Sequence, residues 1–96
     1  MRVKILESAV DDLRAGYSFY EAQEHGVGDY FINTLFSEID SLSLYGGIHR
    51  TSCGYHRLLS HKFPFAIYYR MDGDTVVVRA VLDCRRDPAW IRRRLR

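Results

Sequence analysis

The sequence predicts an α+β domain in the order β-α-α-β-β-β, with an N-terminal strand and a helical hairpin packed on a twisted antiparallel sheet. Three observations lead there. Apolar residues recur at helical spacing up to Gly46-Gly47; after that pair the period shortens toward two; and the links between runs are too short for crossover connections. The 96 residues make one domain, 1–96, and the 47% of hydrophobic residues suits a packed core rather than a disordered chain.

Residues 1–6 read as a short strand with Val3 and Ile5 on one face. Ser8 is placed to cap a helix, and Asp11 three residues on resembles a capping box. Ala9, Leu13, Tyr17 and Tyr20 follow at helical spacing, and Gly26 suits a left-handed helix end. A second helix starts near Gly28 or Asp29. Its stripe is Phe31, Leu35, Ile39 and Leu42, widened by Ile32 and Phe36. The short link makes the two helices an antiparallel hairpin.

Tyr55 to His61 reads as a strand, and Pro64 suits a strand start. Phe65 to Arg70 is an aromatic-rich strand, Asp72-Gly73-Asp74 a hairpin turn, and Thr75 to Leu82 the last strand. These three form an antiparallel meander. Asp87 then caps a helical turn begun by Pro88 and containing Ala89, Trp90 and Ile91. Phe63, Phe65, Tyr68 and Tyr69 are expected in the core, although exposed rings could stack on bases.

Charge is unevenly spread. Residues 1–48 carry three basic and eight acidic side chains, a net −5, whereas residues 49–96 carry eleven basic and four acidic, a net +7. Such polarity points to an anionic partner, nucleic acid or acidic protein, unless the halves neutralise each other within the fold. No apolar run is long enough to span a bilayer or to form a signal peptide, so a cytoplasmic protein is expected. Cys53 and Cys84 are then free thiols. His49, Cys53, His56, His61 and Cys84 match no strong zinc spacing, and neither a metal nor another cofactor is expected.

The run Arg57-Leu58-Leu59, then Phe63-Pro64-Phe65-Ala66-Ile67-Tyr68-Tyr69-Arg70, Val76-Val77-Val78 and Arg85-Arg86-Asp87-Pro88 resembles the RelE/ParE toxin superfamily. Tyr20-Glu21-Ala22-Gln23 leading into Gly26-Val27-Gly28 is a weaker echo. The resemblance implies a toxin of a type II toxin–antitoxin system, of the plasmid-stabilisation type, bound in a heteromeric complex by an antitoxin whose flexible tail folds on it. A toxin dimer is the alternative assembly. RelE-like members cut mRNA on the ribosome with several Lys and Arg side chains and a C-terminal Tyr; ParE-like members poison DNA gyrase without being nucleases.

Position by position, Arg57 and Arg86 match basic positions of RelE-like members. Leu59, Ala66 and Arg92 stand where a second basic residue, an arginine and the tyrosine would be. The chain therefore resembles ParE-like members more closely, with a protein target such as gyrase. A RelE-like endoribonuclease using Arg57, His61 and Arg86, with His61 on the strand face of Arg57, is the alternative. A degenerate member that binds only its antitoxin is a third reading.

Arg57, Lys62, Arg85 and Arg86 are the candidate target-binding residues. Arg57 could instead pair with Asp83, and one of Arg85 and Arg86 with Asp87. The closing arginines Arg92 to Arg96 form a solvated face or a partner contact.

Overall fold

The structure, a computed structural model, describes residues 1–96. The elements are β1 (Arg2–Ile5), α1 (Glu7–Gln23), α2 (Val27–Tyr45), β2 (Thr51–Ser52), β3 (Tyr55–Leu59), β4 (Phe65–Asp72), β5 (Thr75–Asp83) and α3 (Pro88–Arg94). The α+β order is as expected. The five strands form one sheet in the order β1-β5-β4-β3-β2. It is not wholly antiparallel: β1 runs parallel to β5, because the helical hairpin between them returns the chain to the same end of the sheet. The added β2 pairs with β3 across a tight turn in which Cys53 (φ 56°) and Gly54 (φ 83°) both take positive φ. Two residues are too few to show a period, which is why this strand has no sequence signal.

The hairpin α1–α2 covers one face of the sheet. Ala9 and Leu13 of α1 and Phe31, Leu35, Ile39 and Leu42 of α2 pack on Phe65, Ile67, Tyr69, Val76, Val78 and Val81. Tyr20, Phe31, Phe63 and Phe65 interlock at one end of this layer, with Tyr20 stacked 5.1 Å from Phe31. Gly16 lets the helices approach, since a Cβ there would lie 2.5 Å from the Phe31 ring. Tyr68 faces the opposite side of the sheet, in a smaller core of Tyr55, Ala66, Ala80, Leu82 and Leu95 roofed by α3.

Several local expectations change. Ser8 does not cap α1; Leu6 occupies that position without a side-chain bond, and Asp11 pairs with Arg14 instead. Ser8 is drawn away because its hydroxyl donates to the Arg79 carbonyl at 2.9 Å. Helix α1 stops at Gln23, and Gly26 (φ 92°) opens α2. Glu21 closes the link by accepting the N–H groups of Gly26 (3.0 Å) and Gly28 (2.9 Å), and these bonds hold its carboxyl below the usual range. Phe36 is 40% exposed and does not widen the buried stripe. Strand β3 ends at Leu59, two residues before His61, which lies in the turn leading to Pro64.

The segment after α2 is pinned by a polar cluster. Tyr69, fully buried, accepts the Gly47 N–H at 3.0 Å and is hydrogen-bonded to His49 Nδ1. The His56 ring stacks on Tyr69, and its Nδ1 bonds the His49 carbonyl at 2.7 Å. Burial, followed by the charge of His56, lowers the His49 pKa below 6.5. A base whose pKa falls on folding binds fewer protons in the native state. Its contribution to stability is therefore complete above about pH 6.5 and declines as pH falls through the depressed value. Denaturant midpoints measured at pH 7.5 and 5.0 should fall on acidification, and His49→Gln should reduce the difference. An unchanged pH dependence in His49→Gln would show that this cluster is not responsible.

Candidate functional site: an arginine-flanked groove at the β5 edge

Strand β1 pairs only with Thr75–Val78 of β5, leaving the later edge of β5 to be satisfied by side chains. A register shift between Tyr68 and Tyr69 makes Arg79 an extra residue in β5, opposite no residue of β4. Its guanidinium donates to Ser8 Oγ (3.1 Å) and to the Arg94 carbonyl at the end of α3 (2.8 Å). Asp12 of α1 accepts the Val81 N–H at 3.1 Å and pairs with the Arg94 guanidinium at 2.9 Å. Thus α1, the free edge of β5 and α3 are tied together.

These ties leave a groove of about 330 Å³ between α1 and α3. Ala15, Gly16 and half-exposed Phe19 form one wall, Phe65 and Val81 line the sheet side, and Trp90 with Arg86 and Arg94 forms the other wall. The Arg86 guanidinium sits 3.8 Å over the Trp90 ring, a cation–π contact that orients it while leaving it exposed. The groove therefore has an apolar interior and a mixed rim of Asp12, Asp83, Arg86 and Arg94. Asp12 is paired with Arg94 and Asp83 with Arg85, which leaves Arg86 as the lining cation without an ion pair, a chemistry that suits an amphipathic segment carrying a carboxylate.

The other candidate residues are dispersed. Arg85 does not pair with Asp87; it bonds Asp83 through Nε (3.0 Å) and Nη2 (2.7 Å), and this contact lowers the Asp83 pKa. Asp87 accepts the Ala89 N–H as the cap of α3, as expected. Asp83 is thereby engaged, and Arg57 does not pair with it. Arg57 lies opposite Tyr68, and its Nη2 reaches Cys84 Sγ at 3.7 Å, while its buried Nε has no partner. Burial opposes the charge of Arg57, but bonds to Cys84 and Tyr68 offset it.

His61 is not on the strand face of Arg57. Its backbone N–H donates to Glu38 of α2 at 2.9 Å and its ring lies 3.2 Å from the same carboxylate oxygen. Lys62 is its neighbour, with Nζ 5.5 Å from the Tyr30 ring centroid. The structure thus brings Arg57 toward the Arg85-Arg86 segment through Cys84 and keeps His61 and Lys62 with α2. RNA cleavage without a metal needs a proton acceptor, a proton donor and phosphate stabilisation in one place. Arg57 and Arg86 can hold an anion. Tyr68, the hydroxyl beside Arg57, has its pKa raised by burial and is a poor base at neutral pH.

Sequence reasoning missed Phe19, Asp12 and Arg94. Phe19 lies off the buried stripe of α1, and that displacement is the one signal that could have marked it. Asp12 and Arg94 meet across 82 positions, beyond any local pattern.

A family model described as "ParE toxin of type II toxin-antitoxin system, parDE" matches residues 3–88. A solved structure, the "Chromosomal ParDE TA system from P. aeruginosa", is similar in fold at a TM-score of 0.77 and 21% identity. The match covers 84% of this chain and 92% of that one. No curated protein sequence matches significantly.

Asp12→Ala would strip the Val81 N–H and the Arg94 guanidinium of a partner together. Denaturant unfolding should show a loss of about 1–3 kcal/mol. A variant within about 0.3 kcal/mol of the parent would mean that the tie does not hold α3 in place.

Proposed function

The chain belongs to the ParE toxin family of type II toxin–antitoxin systems, and we propose that it is the toxin of such a pair, neutralised by a cognate antitoxin and acting on a protein target such as DNA gyrase. The observation that supports this reading best is the groove at the β5 edge, whose Phe19 and Trp90 walls and Arg86 rim suit a partner's amphipathic acidic segment. A disordered antitoxin tail that folds on binding gains most from such a site, because apolar contacts offset its ordering entropy. In this reading Arg85 and Arg86 contribute to the target-binding surface, with Arg57 behind them on the sheet.

The dispersal of Arg57, His61 and Arg86 favours protein binding over cleavage of mRNA. His61 is engaged by Glu38 on the helical side, and Arg57 and Arg86 have no histidine between them to move a proton. A gyrase-directed toxin works in the cytoplasm, and no helix here is long and apolar enough to cross a membrane.

Induced expression without antitoxin should trigger DNA-damage signalling and filamentous cells. Purified chain added to gyrase should accumulate cleaved DNA, and Arg86→Ala should relieve toxicity. Phe19→Ala should weaken antitoxin binding by about 2 kcal/mol, about thirtyfold. Codon-specific cuts in mRNA with gyrase unaffected would overturn the reading in favour of an endoribonuclease. Unimpaired growth with intact antitoxin binding would leave a member that binds only its antitoxin.

A further inference from the structure

The helical hairpin and the rest of the molecule differ sharply in charge. Residues 7–45 hold eight of the acidic side chains and one basic one, a net −7; the sheet, its loops and α3 hold thirteen basic and four acidic, a net +9. The hairpin, with Lys62 beside it, covers one face of the sheet; Arg2, Lys4, Arg57, Arg70 and α3 with its arginines lie on the other. There α3 roofs the part of the sheet around Ala80 and Leu82 and leaves the β1 side of that face open.

Arg2, Lys4 and Arg70 stand on this open part. Arg2 and Lys4 alternate with the core-facing Val3 and Ile5, while Arg70 lies over Tyr55 on the side away from the hairpin. Lys4 and Arg70 both register with Val77 and therefore flank β5 from either side, with their Cα atoms about 10 Å apart. Arg2 and Lys4 are two residues apart, about 7 Å. All three are exposed and none makes an ion pair. The Arg70 guanidinium is held 4.5 Å from the Tyr55 ring. Asp72 is the one carboxylate lining the depression with Arg2 and Lys4.

The chemistry of this face selects among polyanions. A protein interface has an apolar centre, yet the exposed large apolar side chains lie on the helices, at Met1 and at Ile48, with only Leu59 of the sheet at the far end of β3. A single-strand binder presents aromatic rings to unstacked bases, yet Tyr55 and Tyr68 are buried. What remains is a flat set of unpaired cations suited to the regularly repeated charge of a duplex backbone. We propose that this open sheet face binds the phosphodiester backbone of double-stranded DNA through Arg2, Lys4 and Arg70, without base readout and apart from the arginine-flanked groove. The contact does not require that gyrase be the target.

The test is fluorescence anisotropy of the purified full-length chain with a labelled 20-base-pair DNA duplex across a salt series. Three phosphate contacts give a slope of log K against log salt of about −3. Arg2→Gln, Lys4→Gln and Arg70→Gln should each lower the slope by about 1, and the triple variant should lose at least about tenfold in affinity at 100 mM salt. Arg14→Gln, on the acidic layer, should leave both unchanged. The proposal is overturned if the parent chain does not bind the duplex at 50 mM salt, or if a circular-dichroism-verified triple variant binds as the parent does. Tighter binding of a single strand or of duplex RNA, or displacement by polyglutamate as effective as by unlabelled duplex at equal charge, also overturns it. Gyrase poisoning by a triple variant that no longer binds DNA would leave the toxin reading standing and separate the two.

Discussion

A short first strand sets a condition on everything that follows it. Strand β5 has nine residues and β1 only four, so part of the β5 edge has no strand beside it. Backbone polar groups at such an edge need partners or water. Here α1 supplies them: Ser8 takes the Arg79 carbonyl and Asp12 the Val81 N–H. The same residues recruit the end of α3 through Arg79 and Arg94. Closing the sheet edge and placing the groove are one event, and the residues that close it are polar while those left open between them are apolar.

The closure also divides the molecule electrostatically. The acidic hairpin turns its apolar stripes to the sheet, and of its carboxylates Asp12, Glu21 and Glu38 accept backbone N–H groups within the fold. Arg2, Lys4 and Arg70 fall on the open sheet face, and Arg86 and Arg94 on the rim of the groove. These are separate surfaces with different chemistry. The groove combines rings with arginines and suits a folded-on-binding segment, whereas the face around Arg70 has cations without exposed apolar area. Under the two proposals, the groove receives an antitoxin segment and the open face a DNA backbone, and two unlike surfaces on a domain of this size make both contacts geometrically compatible.

Periodicity made most of this fold legible in the sequence. The two helical stripes, the meander and the Asp87-Pro88 start of α3 are local patterns, and each helix or strand forms where its pattern lies. The parallel pairing of β1 had no local sign, nor did the recruitment of Ser8 away from its capping role. Both depend on contacts about seventy positions distant, such as that between Ser8 and Arg79. Extending the last Leu-Leu-Ser run of β3 through His61 placed that histidine on the wrong side, because Glu38 of α2 captures the turn before Pro64. The arginines at 85 and 86 were identifiable as a surface by composition. Their different engagements, with Asp83 and with Trp90, required the backbone that the β5 end imposes.

In the proposed reading the groove between α1 and α3, rather than the surface around Arg57, receives the antitoxin. Backbone hydrogen exchange decides between the two surfaces, comparing the chain alone with the chain saturated by the product of an adjacent antitoxin gene. New protection is expected in residues 12–19 and 81–95, with β3 unchanged. Protection confined to β2 and β3, with the groove exchanging as in the free chain, would contradict it.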